Sequence, residues 1–210
     1  MNKTPFIAVE GPIGVGKTSL SSYISKELGF PLLKEIVEEN PFLNKFYDNQ
    51  DEWSFQTEMF FLCNRYKQLH DIQKHHLNQQ QGVVADYHIF KNTIFAQQTL
   101  HNGEYEKYMK IYDILTADMP VPNVIVYLNA SLDTLLKRIS FRGRSFEENI
   151  DPNYLQTLSN DYELFMKCFK ETHPEVPVLF FSGDEYDFVN HSEQRTHILE
   201  KIKAELKKQS

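Results

Sequence analysis

Phe6-Ile-Ala-Val-Glu10-Gly11-Pro12-Ile13-Gly14-Val15-Gly16-Lys17-Thr18-Ser19 is the stretch whose reading decides the fold. Phe6 to Glu10 form a short apolar run of strand type, and Leu20, Tyr23, Ile24 and Leu28 then follow a helical pattern. Between the two stands G-x-x-x-x-G-K-[ST] in full. Chemistry explains the spacing. Gly11, Gly14 and Gly16 let the backbone wrap closely enough for its N–H groups to face phosphate oxygens. The helix that opens there adds its positive N-terminal end. Lys17 has the reach for β- and γ-phosphates, and the Thr18 hydroxyl suits Mg²⁺. A glycine-rich turn matching by chance would lack the strand before it and the helix after it. The expectation is a nucleoside triphosphate site built by Gly11 to Ser19.

The 210 residues around this motif suit one domain with a full core. A hydrophobic content of 41% is ordinary for a globular chain. No apolar run approaches the roughly 18 residues of a membrane span. The first strand begins almost at the N-terminus, leaving no room for a signal peptide. Cys63 and Cys168 form no metal or redox spacing and fall in helical patterns, so buried free thiols in a reducing cytoplasm are expected. The net charge of -7 argues against a broad nucleic-acid surface. An anionic ligand must then be held by local cations, at Lys17 and around Arg138 to Arg144.

Short apolar runs at Phe6–Glu10, Pro31–Lys34, Val83–Asp86, Val124–Asn129 and Val178–Ser182 alternate with longer periodic ones. That pattern predicts an α/β fold with a five-stranded parallel sheet flanked by helices. Ligands on such sheets gather at the carboxyl ends of the strands. Gly11–Thr18, Glu35, Asp86 and Gly183–Asp184 all fall there. Glu35 is placed to accept the proton of a hydroxyl attacking a γ-phosphoryl group, the alternative being a solvated acidic loop. Glu38 and Glu39 read as surface charges or helix N-terminal charges. Asp51 to Gln68 reads as one long helix, with Trp53, Phe60, Phe61 and Leu62 as core. On it, Glu58 and Arg65 are two turns apart and face one side. Their spacing suits a supporting ion pair, two solvated charges, or an acceptor and donor offered to a planar base.

Asp86 is placed to bind Mg²⁺ directly or through water. His88 reads as structural or surface, and Lys91–Asn92 open a helix beside the same cavity. Further on, Leu100 to Met119 predicts a helix pair joined by the His101-Asn-Gly turn. Arg138, Arg142 and Arg144 lie within seven residues, broken by Gly143. An acidic chain short of cations favours their use as a cover over phosphates, rather than a solvated charge run. Tyr154–Phe169 and Gln194–Lys208 read as amphipathic helices. The loop with Asp187 and Phe188 is expected beside the phosphate loop, Phe188 packing either on a nucleotide base or in the core.

With G-P-I-G-V-G-K-T-S, E-I-V-E-E-N-P and R-x-x-x-R-G-R together, the whole chain resembles the deoxynucleoside kinase family of deoxycytidine, deoxyguanosine and deoxyadenosine kinases. It is most similar to the bacterial purine enzymes, the Bacillus-type deoxyguanosine kinases among them. The resemblance implies a single P-loop kinase domain over residues 1–210, with a lid at about 138–150. It also implies ATP-dependent phosphorylation of a deoxynucleoside 5′-hydroxyl with Mg²⁺, and a homodimer. By position it makes Glu35 the general base and gives the sugar 3′-hydroxyl to Tyr47 and Glu147. Arg138, Arg142 and Arg144 become the lid arginines, and Glu58, Arg65 and Asn92 read the base.

Two departures from the family pattern matter. Relatives carry Asp/Glu-Arg-Ser where this chain has Asp86-Tyr87-His88, so the arginine beside the catalytic carboxylate is missing. Its role is either spread over the lid arginines or needs no replacement. Relatives also commonly carry Gln at the place of Glu58. A carboxylate only accepts hydrogen bonds, which favours guanine, with donors at N1 and N2, over adenine; O6 and N7 would then accept from Arg65. Deoxyguanosine is the expected acceptor. The rivals are a deoxyadenosine or broad purine kinase, a thymidylate-kinase-like nucleotide kinase, and an ATP-binding regulator without catalysis.

Overall fold

A computed structural model of the chain describes residues 4–148, 150–187 and 191–209. The strand that leads into the phosphate loop, β1 (Phe6–Glu10), is the middle of a five-stranded sheet. It lies between β3 (Val83–Ala85) and β4 (Val124–Asn129), with β2 (Leu32–Leu33) and β5 (Val178–Ser182) at the two edges. Every pairing is parallel, and Ile7 is opposite Val84 on one side and Val124 on the other. The chain leaves β1 toward β2 and β3 on one side and returns to β4 and β5 on the other. This reversal opens a crevice at the carboxyl end of β1.

The sheet is covered on both faces, which is why β1 up to Val9, β3 and most of β4 are apolar and buried. Successive residues of β1 and β3 point to opposite faces. Ile7, Val9 and Val84 join a core with α1 (Lys17–Leu28), α6 (Leu132–Arg142), α7 (Pro152–Thr172) and α8 (Ser192–Lys208). Phe6, Val83 and Ala85 join a second core against α3 (Gln50–His75) and α5 (Glu104–Thr116). The remaining helices are α2 (Leu43–Asp48) and α4 (Lys91–Thr99).

Some elements differ from the sequence reading in extent. α3 runs past Gln68 to His75 because Leu69 and Ile72 carry its buried stripe onward. The helix pair is α4 and α5, joined where Asn102 (φ 53) and Gly103 (φ 80) are left-handed. The cysteines correct an expectation: Cys63 and Cys168 are both exposed. Cys63 follows the buried Leu62, and one step turns a helix by about 100°, out of the core. Cys168 lies two residues past the buried Met166, on the outer face of α7. Among the described residues, no helix is long and apolar enough to cross a membrane.

Candidate active site

The phosphate loop turns through three glycines at positive φ, Gly11 (147), Gly14 (82) and Gly16 (104). Lys17 Nζ donates to the carbonyls of Gly11 (2.7 Å) and Pro12 (2.9 Å), bending back over the loop. α1 opens at Lys17 without a side-chain cap, leaving its first N–H groups for an anion. Pro12 and Val15 are buried and shape the loop from behind, while Ile13, Gly14, Gly16 and Ser19 face the cavity.

Asp86 ties three strand ends together. Its Oδ2 accepts from the Thr18 hydroxyl (2.8 Å) and its Oδ1 from the Glu35 backbone N–H (2.7 Å). Burial pushes the Asp86 carboxyl up. A hydroxyl and a carboxylate oxygen side by side are the hard donors that Mg²⁺ takes. Among the described residues no group of three His, Cys, Asp or Glu side chains could enclose a metal. Mg²⁺ does not require one, since it is usually held by one or two carboxylates with waters and substrate phosphates. The donor set fits that ion.

Lys17 and Glu35 share one cavity of about 680 Å³ at the carboxyl ends of the strands. This volume is in the range of sites for small organic ligands. Glu35 is heavily engaged. Oε1 accepts from Arg65 Nε (3.1 Å) and Arg65 Nη2, while Lys91 Nζ is 2.9 Å from each carboxylate oxygen. Burial pushes Glu35 up, but Lys91, Arg65 and Lys17 outweigh it and hold the carboxyl well below the usual range. Burial, helped by Lys91, brings Lys17 down to about 8.

The cations on Glu35 come from α3 and α4, not from the arginines after β4. Tyr87 is buried and its hydroxyl donates to Gln68 (2.6 Å). His88 is structural: its backbone N–H donates to Glu10, and its Nε2 is 2.9 Å from the Pro120 carbonyl. Burial lowers the His88 ring to about 4.

At the other end of the cavity, Glu58 (2% exposed) and Arg65 (4%) stand on one face of α3. Glu58 Oε2 is buried without a hydrogen-bond partner among the described residues. Burial, opposed by Arg65 and Lys91, brings the Glu58 carboxyl up to about 7. Three of the five Arg65 N–H donors are engaged, by Glu35 twice and by Asn92 Oδ1 (2.7 Å). Two have no partner among the described residues. Asn92 itself corrects an expectation. It is fully buried, off the cavity wall, with its amide N–H₂ donating to Tyr108 Oη (2.6 Å). One helical step from Lys91 turns it off the described cavity wall, where its Oδ1 accepts from Arg65 Nη1.

Tyr47 lies on the wall, its ring stacked on Phe146 at 6.4 Å between centroids. Beside it Glu147, 4% exposed, pairs with Arg142 and, at 3.7 Å, with Arg144. Arg144 Nε also donates to Glu38 Oε1 (3.1 Å), and Glu38 is the exposed surface charge expected of it. Arg142 ends α6, Gly143 turns left-handed (φ 66), and Arg144 enters the 3-10 turn Ser145–Glu147. Arg138 is held deeper, donating to the carbonyls of Val15 (2.9 Å) and Gly183 (2.8 Å). Asp184 does not reach the cavity; it accepts from Ser131 N (2.7 Å) and Oγ (2.9 Å) at the start of α6. Asp187 is half-buried and is not among the described residues of the wall. Phe188 lies outside the described residues.

Sequence reasoning placed Lys91 beside the cavity, as the structure does, but missed its contact with Glu35. One signal was there: a lysine as the first residue of a helix opposes the helix dipole, so it needs an anion nearby. The apolar walls from Phe61, Phe95 and Tyr154 were also missed, because each sits in an ordinary helical stripe.

A phosphate loop, a buried carboxylate and a cluster of cations around one cavity, on this parallel sheet, define a P-loop phosphotransferase. The family model for deoxynucleoside kinases matches residues 7–207, and the chain belongs to that family. It is 58% identical over 189 residues to the deoxyguanosine kinase of Bacillus subtilis (strain 168), covering 90% of this chain and 91% of that protein. It is 32% identical to the deoxyadenosine/deoxycytidine kinase of the same organism, over 95% of this chain and 92% of that one. Among solved structures, deoxyadenosine kinase from M. mycoides, with products dCMP and a flexible dCDP bound, superposes with a TM-score of 0.81. Its identity is 28%, covering 95% of this chain and 99% of that chain.

Proposed function

We propose that the protein transfers the γ-phosphoryl group of ATP to the 5′-hydroxyl of deoxyguanosine, giving the monophosphate and ADP. The observation that carries the base assignment is the acceptor–donor pair on α3. Both residues line the cavity; among the described residues Glu58 has a buried oxygen without a hydrogen-bond partner, and two N–H donors of Arg65 are unengaged. Guanine has the matching pattern, N1–H and N2–H₂ for the carboxylate and O6 and N7 for the guanidinium. The relative at 58% identity is itself a deoxyguanosine kinase.

In this reading Glu35 orients and deprotonates the 5′-hydroxyl for in-line attack. Gly11 to Ser19 cradle the phosphates, and Lys17, Arg138, Arg142 and Arg144 stabilise the charge spreading over the transferred group. Tyr47 and Glu147 hold the 3′-hydroxyl. Mg²⁺, held through Thr18 and Asp86, neutralises phosphate charge when bound. Residues 138–150 act as a lid: Arg142 and Arg144 exchange Glu147 and Glu38 for phosphate oxygens. We place the enzyme in the cytoplasm as a homodimer. A panel of the four deoxynucleosides and their ribonucleoside counterparts, with ATP and Mg²⁺, tests the assignment through relative kcat/KM. Deoxyguanosine is expected to lead, and a pyrimidine in first place would refute it.

Glu58→Gln is expected to cut the preference for deoxyguanosine over deoxyadenosine by about tenfold or more, the cost of mispairing a buried polar group being about 1–3 kcal/mol. The same preference is expected to fall as pH drops through about 7. Below that value the protonated carboxyl donates as well as accepts, which adenine tolerates, while above it the carboxylate only accepts. Glu58→Gln should remove this pH dependence, since an amide does not titrate there. A selectivity that ignores both the substitution and the pH would take Glu58 out of base reading.

A further inference from the structure

The Glu35 carboxylate is held asymmetrically. Both Arg65 contacts, from Nε and Nη2, fall on Oε1, whereas the only hydrogen bond drawn to Oε2 among the described residues is from Lys91 Nζ. Lys91 side-chain exposure is 4%, and its ammonium is 5.3 Å from the Phe95 ring centroid, so it cannot leave for solvent without opening the wall. Its backbone is fixed as well. Lys91 N donates to the His88 carbonyl (3.2 Å), and His88 N donates in turn to the buried Glu10 carboxylate at the end of β1.

A guanidinium normally grips a carboxylate through both oxygens as a fork. Here it does not, because Lys91 bridges Oε1 and Oε2 and keeps the carboxylate turned. Oε2 is thereby left with spare lone pairs, and Glu35 lines the cavity shared with Lys17. From this geometry we infer that Lys91 is the positioning residue of phosphoryl transfer: it stops Arg65 from taking both oxygens of Glu35 and aims Oε2 at the acceptor hydroxyl. The inference rests on the role of Glu35 proposed above. It gives the cation missing from the Asp86-Tyr87-His88 corner a different source, the first residue of α4. No bond to Lys91 forms or breaks in the step; the hydroxyl proton passes to Oε2 while the hydroxyl oxygen bonds to the γ-phosphorus, and the γ-phosphorus–oxygen bond to the β-phosphate breaks to release ADP.

Lys91→Met keeps the length and apolar stem of the side chain and removes the ammonium. Losing one charge-assisted partner of a buried carboxylate is expected to lower kcat about ten- to hundredfold. KM for deoxyguanosine and for ATP should each move by less than about threefold, since neither ligand is touched in binding. The decisive comparison is with Glu35→Gln. If Lys91 acts through Glu35, adding Lys91→Met to Glu35→Gln costs less than about threefold more. A full further loss in the double variant would place Lys91 on the transferred group instead, and overturn the inference. So would an unchanged kcat in the single variant, or a loss confined to KM. Lys91→Gln, which keeps an N–H₂ donor group without the charge, serves if the Met variant melts well below the wild type; it is expected to fall between the two in kcat and to show the same non-additivity. Wild-type turnover with deoxyguanosine tests the proposed function separately. If another nucleoside proves to be the acceptor, the same double-variant comparison made with it still judges Lys91.

Discussion

Glu35→Gln is expected to lower kcat by about 10²–10⁴-fold, the range for loss of a general base, with KM for both substrates little changed. The amide is nearly isosteric, so the cavity and the Asp86 contact to the Glu35 backbone N–H survive. What changes is the chemistry of one atom: Oε2 becomes either an amide oxygen of negligible basicity or an N–H₂ group that cannot accept a proton. In the wild type Lys91, Arg65 and Lys17 keep the carboxyl ionised in spite of burial. These cations make Glu35 a weak base in the ground state, so its contribution is position and charge rather than proton affinity. Single-turnover rates with both substrates saturating, read beside binding of each by calorimetry, check the expectation. A near-normal rate in a variant that binds both substrates would remove Glu35 from the step.

The second large effect is expected from a backbone position. A Cβ on Gly11 would stand 2.2 Å from the carbonyl oxygen of Leu128 on β4 and 3.0 Å from Val15. Gly11 also holds φ at 147, where L side chains rarely go. The φ strain alone costs about 1–3 kcal/mol, and the clash is with backbone, which has no rotamer to escape into. Gly11→Ala should lower Tm by about 5–15 °C for a chain of this size. Displacing the loop by even about 1 Å should also cost roughly 10²-fold in kcat/KM for ATP. Gly29→Ala is the control, since Gly29 has φ 67 and no atom within 4 Å of the added Cβ. Its loss should be confined to stability and be smaller. Equal losses in the two variants would mean that close approach of β1 and β4 is not what Gly11 provides.

Much of this architecture is legible without coordinates because it rests on local patterns. The run Phe6–Glu10, the glycine spacing and the helical stripe after Lys17 specify strand, loop and helix from backbone sterics and apolar period. The alternation of the remaining runs does the same for the sheet. Glu35 and Asp86 were identifiable because strand ends converge wherever a parallel sheet carries a crevice. Glu58 and Arg65 followed from a separation of two helical turns.

The tertiary structure decided which charges meet. Nothing in the order of residues says that the ammonium of Lys91 bridges the carboxylate of Glu35, that Asn92 turns away to Tyr108, or that Arg138 is tied to Val15 and Gly183. Nor does it say that two cysteines in helical stripes face outward. Apolar period is summed over many residues and survives a local error. A hydrogen bond depends on the placement of two side chains to within about an ångström, often from elements dozens of residues apart. That placement is set only when the helices dock on the sheet.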